Sequence, residues 1–301
     1  MTGLRMTSRR SSSVLIFDIC YMKKFNTIFC IATSTIILGS CKTYNAEAEK
    51  NSSLREHSVQ SVLWQQTAGE YRALCYQAYN MAQHQLEECI ANNPTNQRLA
   101  IITDLDETVL DNSPYNAMMI EKDVEYSSDT WKEWGERIAA NPVPGAVEFF
   151  KQAEAMSVEV FYISNRVENQ LEETMKNMEL LGMPYLDEDH FFLKTTTSGK
   201  EERRQMISDE FRIIMLMGDN LSDFNQVFDK KGTAERNTLA DSLQVEFGRK
   251  YIVFPNVMYG DWETKGVYEG KYDWTAEEKD FLRKSKIQGY EYMSKKNSSK
   301  N

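Results

Sequence analysis

The stretch Leu99-Ala100-Ile101-Ile102-Thr103-Asp104-Leu105-Asp106-Glu107-Thr108 decides the fold. Its first half is a short unbroken apolar run, the pattern of a strand buried on both faces. That run empties directly into two carboxylates set two residues apart. Three further runs repeat the plan. Val158-Glu159-Val160-Phe161-Tyr162-Ile163 ends at Ser164-Asn165-Arg166, Arg212-Ile213-Ile214-Met215-Leu216-Met217 ends at Gly218-Asp219-Asn220, and Tyr251-Ile252-Val253-Phe254 follows. Helical patterns lie between them. Pro144-Gly145 opens one that runs to about Met156, with Pro suited to a first turn. Leu171, Met175 and Met178 line one face of the next, which Gly182 closes. A third covers Glu201 to Phe211. Strands alternating with helices predict an α/β fold with a mostly parallel sheet.

Composition agrees with a packed globular body. Of 301 residues, 41% are hydrophobic and 11% aromatic, enough core material to exclude disorder. Fourteen Gly and six Pro exclude a collagen-like chain. A net charge of −10 has the wrong sign for a binder of nucleic-acid polymers. A polytopic membrane protein is excluded too, because the long apolar run near the N-terminus is too short to span a bilayer comfortably.

That run is an address. Met22-Lys23-Lys24, then Phe25 to Leu38, then Gly39-Ser40-Cys41 form a basic region, an apolar core and a small-residue cleavage site. Leu38-Gly39-Ser40-Cys41 resembles the lipobox of bacterial lipoproteins, so residues 22–40 read as a signal peptide and Cys41 as the lipidated N-terminus. Residues 1–21 then stand upstream of a complete signal and read as a misplaced start. Removing residues 1–40 takes Lys+Arg from 35 to 30 and Asp+Glu from 45 to 44, a net charge near −14. An anionic membrane surface would not attract such a body, so lipid must do the anchoring. The expected address is the outer membrane or cell envelope, facing the periplasm or the cell surface.

Polar residues 41–57 read as a tether. From Val59 to about Ile90 the pattern is helical, with Leu63, Tyr71, Leu74, Ala78, Met81, Ala82 and Leu86 on one apolar face. One continuous helix would hold Cys75 and Cys89 about 21 Å apart, too far for a disulfide. Two buried thiols are the favoured reading. The segment from about 113 to 141 is polar and aromatic (Tyr115, Tyr126, Trp131, Trp134) and reads as a small insert or cap. A body of residues 58–290 and a polar tail at 291–301 complete the plan.

Ligands of parallel α/β sheets bind at the carboxyl ends of the strands. There the sequence sets Asp104 and Asp106, then Ser164, then Asp219 and Asp223. Clustered carboxylates without His suit a hard, oxygen-seeking cation such as Mg²⁺ or another divalent ion.

These pieces resemble the four motifs of the haloacid-dehalogenase-like (HAD) superfamily of phosphohydrolases. Asp104-Leu105-Asp106-Glu107-Thr108 matches the first, Ser164 the second, Lys200 the third, and Asp219 with Asp223 the fourth. Residues 104–115, 143–149, 218–223 and 259–263 resemble the class C acid phosphatases, and within them the lipoprotein-e type of 5′-nucleotidase. The resemblance implies a Rossmann-like sheet with a small, mainly helical cap. It implies Asp104 as nucleophile, Asp106 as general acid and then base, and Ser164 and Lys200 on the phosphoryl group. Asp104, the Asp106 carbonyl and Asp219 would hold Mg²⁺, and Asp223 would act through water or orient a neighbour. Lys194 lies on the same approach as Lys200; Lys200 is preferred because Ser198-Gly199-Lys200 opens a helix. Asn165 and Arg166 would steer phosphate, with Arg166 equally an ion-pair partner. Trp131 and Tyr259 fall where an aromatic clamp would hold a nucleoside; the alternatives are a packed anchor of the insert for Trp131 and a turn before the C-terminal helix for Tyr259.

The expected substrates are small phosphate monoesters, chiefly nucleoside 5′-monophosphates including nicotinamide mononucleotide. Two other readings stay open: a phosphomonoesterase not specialised for nucleotides, and a surface lipoprotein that binds a ligand such as haem. Whether the chain forms a dimer is left open by the sequence.

Overall fold

The computed structural model describes residues 53–93 and 97–290. The lipobox with Cys41, the segments before it, the tether up to residue 52 and the tail lie outside the described residues. Helices α1 (Val59–Thr67) and α2 (Gly69–Ala91) precede β1 (Leu99–Thr103). The short strand β2 (Leu110–Asp111), helices α3 (Ser113–Lys122) and α4 (Ser128–Glu136), and the short strand β3 (Asn141–Pro142) form the insert. There follow α5 (Ala146–Ala155), β4 (Glu159–Val167), α6 (Leu171–Leu181), β5 (Phe191–Lys194), α7 (Glu201–Ser208), β6 (Arg212–Gly218), α8 (Thr233–Ser242), β7 (Tyr251–Val253) and α9 (Ala276–Ser285).

The main sheet runs β5-β4-β1-β6-β7, and every pair in it is parallel. Alternation along each strand fills two layers. Leu99 and Ile101 of β1, Val160 and Tyr162 of β4, and Met215 and Met217 of β6 face a large core shared with α2, α5 and α6. Ala100 and Ile102, Phe161 and Ile163, and Leu216 face a smaller one with Ile207, Phe211 and Phe224. With both faces covered, unbroken apolar runs are what the strands require. The edge strand β5 escaped the sequence pattern because Phe191-Phe192-Leu193-Lys194 is only four residues long.

The expected single N-terminal helix is two. Ala68 is extended (ψ 127°), which ends α1 and starts α2 at a new angle. The apolar face shifts with it. Tyr71, Cys75, Ala78, Tyr79, Ala82 and Leu86 are buried, whereas Leu63, Leu74 and Met81 are exposed. Cys75 and Cys89 are both free thiols on α2; Cys75 is buried and Cys89 half-buried. No helix among the described residues is long and apolar enough to cross a membrane.

Phe150 of α5 carries no exposed surface and packs against Tyr79, Phe149 and Tyr162 at ring separations of 6.0, 5.1 and 6.3 Å. Phe150→Ala should lower unfolding free energy by about 3–5 kcal/mol, read from denaturant melts. A loss under about 1 kcal/mol would mean that α5 is not keyed into the sheet as described.

Candidate active site

The loop after β1 is tied on every side. The Asp104 amide donates to the Met217 carbonyl at 2.9 Å, so Asp104 stays in register with β6 one residue past its own strand. The Leu105 carbonyl accepts from the amides of Val109 (2.8 Å) and Leu110 (2.9 Å), which folds the loop back on itself. Glu107 takes a left-handed backbone (φ 64°) at this bend. Its buried carboxylate accepts from the Asn112 amide (3.1 Å), Gln65 Nε2 (3.2 Å) and the Tyr259 hydroxyl (3.1 Å). Burial, with Asp111 and Asp106 nearby, pushes the Glu107 carboxyl up to about 8. The Tyr79 hydroxyl donates to the Thr108 carbonyl at 2.7 Å, so α2 supports the loop from beneath.

Three strand-end carboxylates converge. Asp104, Asp219 and Asp223 each offer an oxygen within 4.8 Å of the others. Lys200, buried at the start of α7, reaches Asp104 Oδ1 at 2.5 Å and Asp223 Oδ1 at 2.7 Å. Lys194 ends β5 and pairs with neither. Burial drives the Asp104 carboxyl up to about 7 against the pull of Lys200, with Asp223 and Asp106 adding to the rise. Burial also lifts Asp219 well above its ordinary value, reinforced by Asp223 and Asp104. Burial opposes the Lys200 charge, but Asp104 and Asp223 outweigh it and raise its pKa. Three acids against one cation, all donors oxygen, are what a hard divalent ion takes up. Asp223 Oδ2 also accepts the Asn220 amide (2.9 Å), and Asn256, just past β7, donates Nδ2 to Asp219 (2.7 Å).

Asp106 is not in that trio. Its carboxylate accepts from Arg166 Nη2 (2.7 Å) and Nε (3.0 Å) and from Asn112 Nδ2 (2.8 Å). Arg166 is therefore an ion-pair partner as well as part of the cavity wall. Ser164, fully buried in β4, accepts the Arg166 amide at 3.1 Å, which leaves its hydroxyl hydrogen to donate. Arg203 gathers this strand end, donating to the carbonyls of Ser164 (2.7 Å) and Phe192 (3.0 Å) and to Asn165 Oδ1 (3.0 Å).

The carboxylates open into a cavity of about 590 Å³, within the range of small-ligand sites. Trp131, Tyr126, Tyr115 and Tyr259 line it. The Trp131 ring meets Tyr115 edge-on at 5.0 Å and lies 5.5 Å from the Arg166 guanidinium. Trp134 Nε1 donates to Asn112 Oδ1 at 2.8 Å, which fastens the insert to the catalytic loop. The structure thus brings Asp104, Asp106, Asn165, Arg166, Trp131, Tyr259, Asp219 and Asp223 to one cavity wall, with Lys200 and Ser164 directly behind it. Sequence reading missed Gln65, Glu107, Asn112, Arg203 and Asn256 as site residues. For Asn256 a signal existed, since Pro255-Asn256 follows a strand end like the others. For Gln65, in a helix outside every motif, none did.

The profile of the HAD superfamily, subfamily IIIB (Acid phosphatase), matches residues 26–262. The chain belongs to this family of acid phosphatases. The class C acid phosphatase from Bacillus anthracis is similar in structure, with a TM-score of 0.76 and 40% identity over 79% of this chain and 100% of that one. The same values hold for the crystal structure of that enzyme with tungstate bound. Acid phosphatase 1 of Solanum lycopersicum is 30% identical over 135 residues, 40% of this chain. The chain spans about half the length of that curated relative. The five-stranded parallel sheet flanked by helices agrees with that structural likeness.

Gly218 allows Asp223 its position. A Cβ there would lie 2.4 Å from Asp223 Oδ2 and 2.5 Å from Asp223 Cβ. Gly218→Ala should displace Asp223, cost about 1–3 kcal/mol of stability, and cut phosphate release at least about tenfold. Stability and turnover like those of the parent chain would show that Asp223 is not held against β6.

Proposed function

We propose that the protein is a lipid-anchored, extracytoplasmic acid phosphatase that hydrolyses nucleoside 5′-monophosphates, nicotinamide mononucleotide among them, through an aspartyl-phosphate. The observation that carries this reading is the buried Asp104 carboxylate, bound by Lys200 and opening into a cavity walled in part by Trp131, Tyr115, Tyr126 and Tyr259. The tungstate held by the Bacillus anthracis relative is a tetrahedral oxyanion, as phosphate is.

Asp104 attacks phosphorus, and the bond from phosphorus to the ester oxygen breaks. Asp106, held beside the site by Arg166 and Asn112, gives its proton to the departing alkoxide. It then takes a proton from water, whose oxygen attacks the aspartyl-phosphate and releases phosphate and free Asp104. Lys200 neutralises charge on Asp104 and the phosphoryl oxygens, the electrostatic task that dominates phosphoryl transfer. The Ser164 hydroxyl donates to a phosphoryl oxygen. A divalent cation, Mg²⁺ in this reading, held by Asp104, Asp219 and the Asp106 carbonyl, would shield the anionic phosphoryl group from the carboxylate. Asp223 orients Lys200. Nucleotide preference rests on Trp131 and Tyr259, since every base has a face to stack and such stacking is worth about 1–3 kcal/mol.

The test is phosphate release by the full chain in detergent near pH 5–6, with Mg²⁺ or EDTA, from adenosine and nicotinamide mononucleotides beside p-nitrophenyl phosphate. Metal-dependent release favouring the nucleotides is expected. Release from the aryl ester alone would retain the chemistry and remove the nucleotide preference. Asp104→Asn should abolish turnover with the melt unchanged; residual turnover would remove the nucleophile. Trp131→Ala should raise KM roughly tenfold for nucleotides and leave that of the aryl ester; equal effects would remove the clamp. Cys41→Ala should move the chain from the membrane to the soluble fraction, and a chain that stays with the membrane is not held there by the Cys41 lipid.

A further inference from the structure

The same cavity has a wall that the phosphoryl chemistry does not use. Arg55, just before α1, and Lys271 and Lys279 from the C-terminal segment line it, together with His57, Glu125 and Glu263. In a chain of net charge −10 this patch holds three lining cations against two carboxylates. The charges felt most strongly by His57 and Glu263 are Arg55, Arg283, Lys279 and Glu125, not the strand-end aspartates. The patch is therefore separate from the catalytic cluster while sharing its cavity.

Two of the cations in this region are satisfied. Lys279 grips Glu125 at 2.6 and 2.8 Å, and Arg283 donates to the Tyr268 hydroxyl at 2.7 Å. Arg55 is different. Its Nε is closed to solvent and donates to nothing, and among the described residues its guanidinium makes no hydrogen bond or ion pair. Lys271 meets the Trp274 ring at 4.7 Å and pairs with no carboxylate. His57 stands 4.0 Å from Glu263, yet burial and the charges of Arg283 and Arg55 press it down to about 4, so it adds a neutral donor. The shielded Nε has no acceptor, which is costly, and the rest of the guanidinium is left to bind. Its planar fork matches the oxygens of a phosphate.

We infer that this wall is an anion subsite that takes a second phosphate carried by the nucleoside being released, with Arg55 as the bidentate partner and Lys271 as a supporting charge. A leaving group bound at phosphorus by Asp104 extends into the rest of the cavity, where this is the unpaired cationic surface. The inference rests on the reading of the cavity as a nucleotide site, and it names a substrate class within it: nucleosides bearing a phosphate on the 5′ oxygen and another elsewhere.

Competition against p-nitrophenyl phosphate hydrolysis by the full chain separates the two ideas. The probes are 5′-AMP and adenosine 3′,5′-bisphosphate. The bisphosphate should inhibit roughly tenfold more tightly than 5′-AMP. Arg55→Ala should erase that advantage and leave inhibition by 5′-AMP and turnover of the aryl ester unchanged. Arg55→Lys, which keeps the charge and loses the fork, should fall between. Equal inhibition by the two probes in the parent chain, or a parallel loss for both in Arg55→Ala, would overturn the subsite. Failure of 5′-AMP to compete, with the bisphosphate still competing through Arg55, would instead overturn the mononucleotide reading and leave the subsite standing.

Discussion

Lys200 binds the site together. Its ammonium stands between Asp104, at the end of β1, and Asp223, in the turn after β6, with almost no exposure. Gathering carboxylates at neighbouring strand ends is costly, because each buried charge raises the energy of the next. The Asp104 and Asp219 carboxyls are raised by burial first and by the neighbouring carboxylates second. One lysine relieves part of that cost and leaves a negative surplus facing the cavity. That surplus is a place for a cation, and in the proposed mechanism the ammonium also meets a phosphoryl oxygen. Removing the lysine would leave both carboxylates buried without a counter-charge, whereas neutralising Asp104 alone still leaves Lys200 its partner Asp223.

Around this centre the loop after β1 is clamped by elements distant in sequence. Glu107 joins α1 through Gln65, the start of the insert through Asn112, and the C-terminal segment through Tyr259. Trp134 of the insert and Tyr79 of α2 add two more ties. The aromatic wall and the acidic floor are thus parts of one hydrogen-bonded unit. In the proposed reading substrate selection and chemistry would share this scaffold, which is how a site stays within the small tolerances that positioning demands.

The strand-end aspartates were legible because they follow from local pattern. An apolar run that ends in a carboxylate announces both a strand and the edge where ligands bind, as β1 and β6 do, while β4 ends instead in Ser164-Asn165-Arg166 and β7 was read from its apolar run alone. Less was legible where pattern was short or symmetric. The four residues of β5 are too few for a period, and helix α8 (Thr233-Ala234-Glu235-Arg236) carries no apolar stripe to mark it. The break at Ala68 has no Gly or Pro at the bend itself, so one helical pattern concealed two helices.

By itself the sequence determined the alternating α/β plan, the order of the strand-end acids and the family to which they belong, since all three are written in residues close along the chain. Tertiary structure decided which lysine meets Asp104, 96 residues away, and which carboxylate holds the Tyr259 hydroxyl, 152 residues away. It also decided that Arg166 pairs with Asp106 and that, among the described residues, the Arg55 guanidinium has no hydrogen-bond or ion-pair partner. A side chain's nearest charge is set by where the sheet and its connections place it. Spacing along the chain carries no trace of that, because burial and Coulomb energy depend on distance in space.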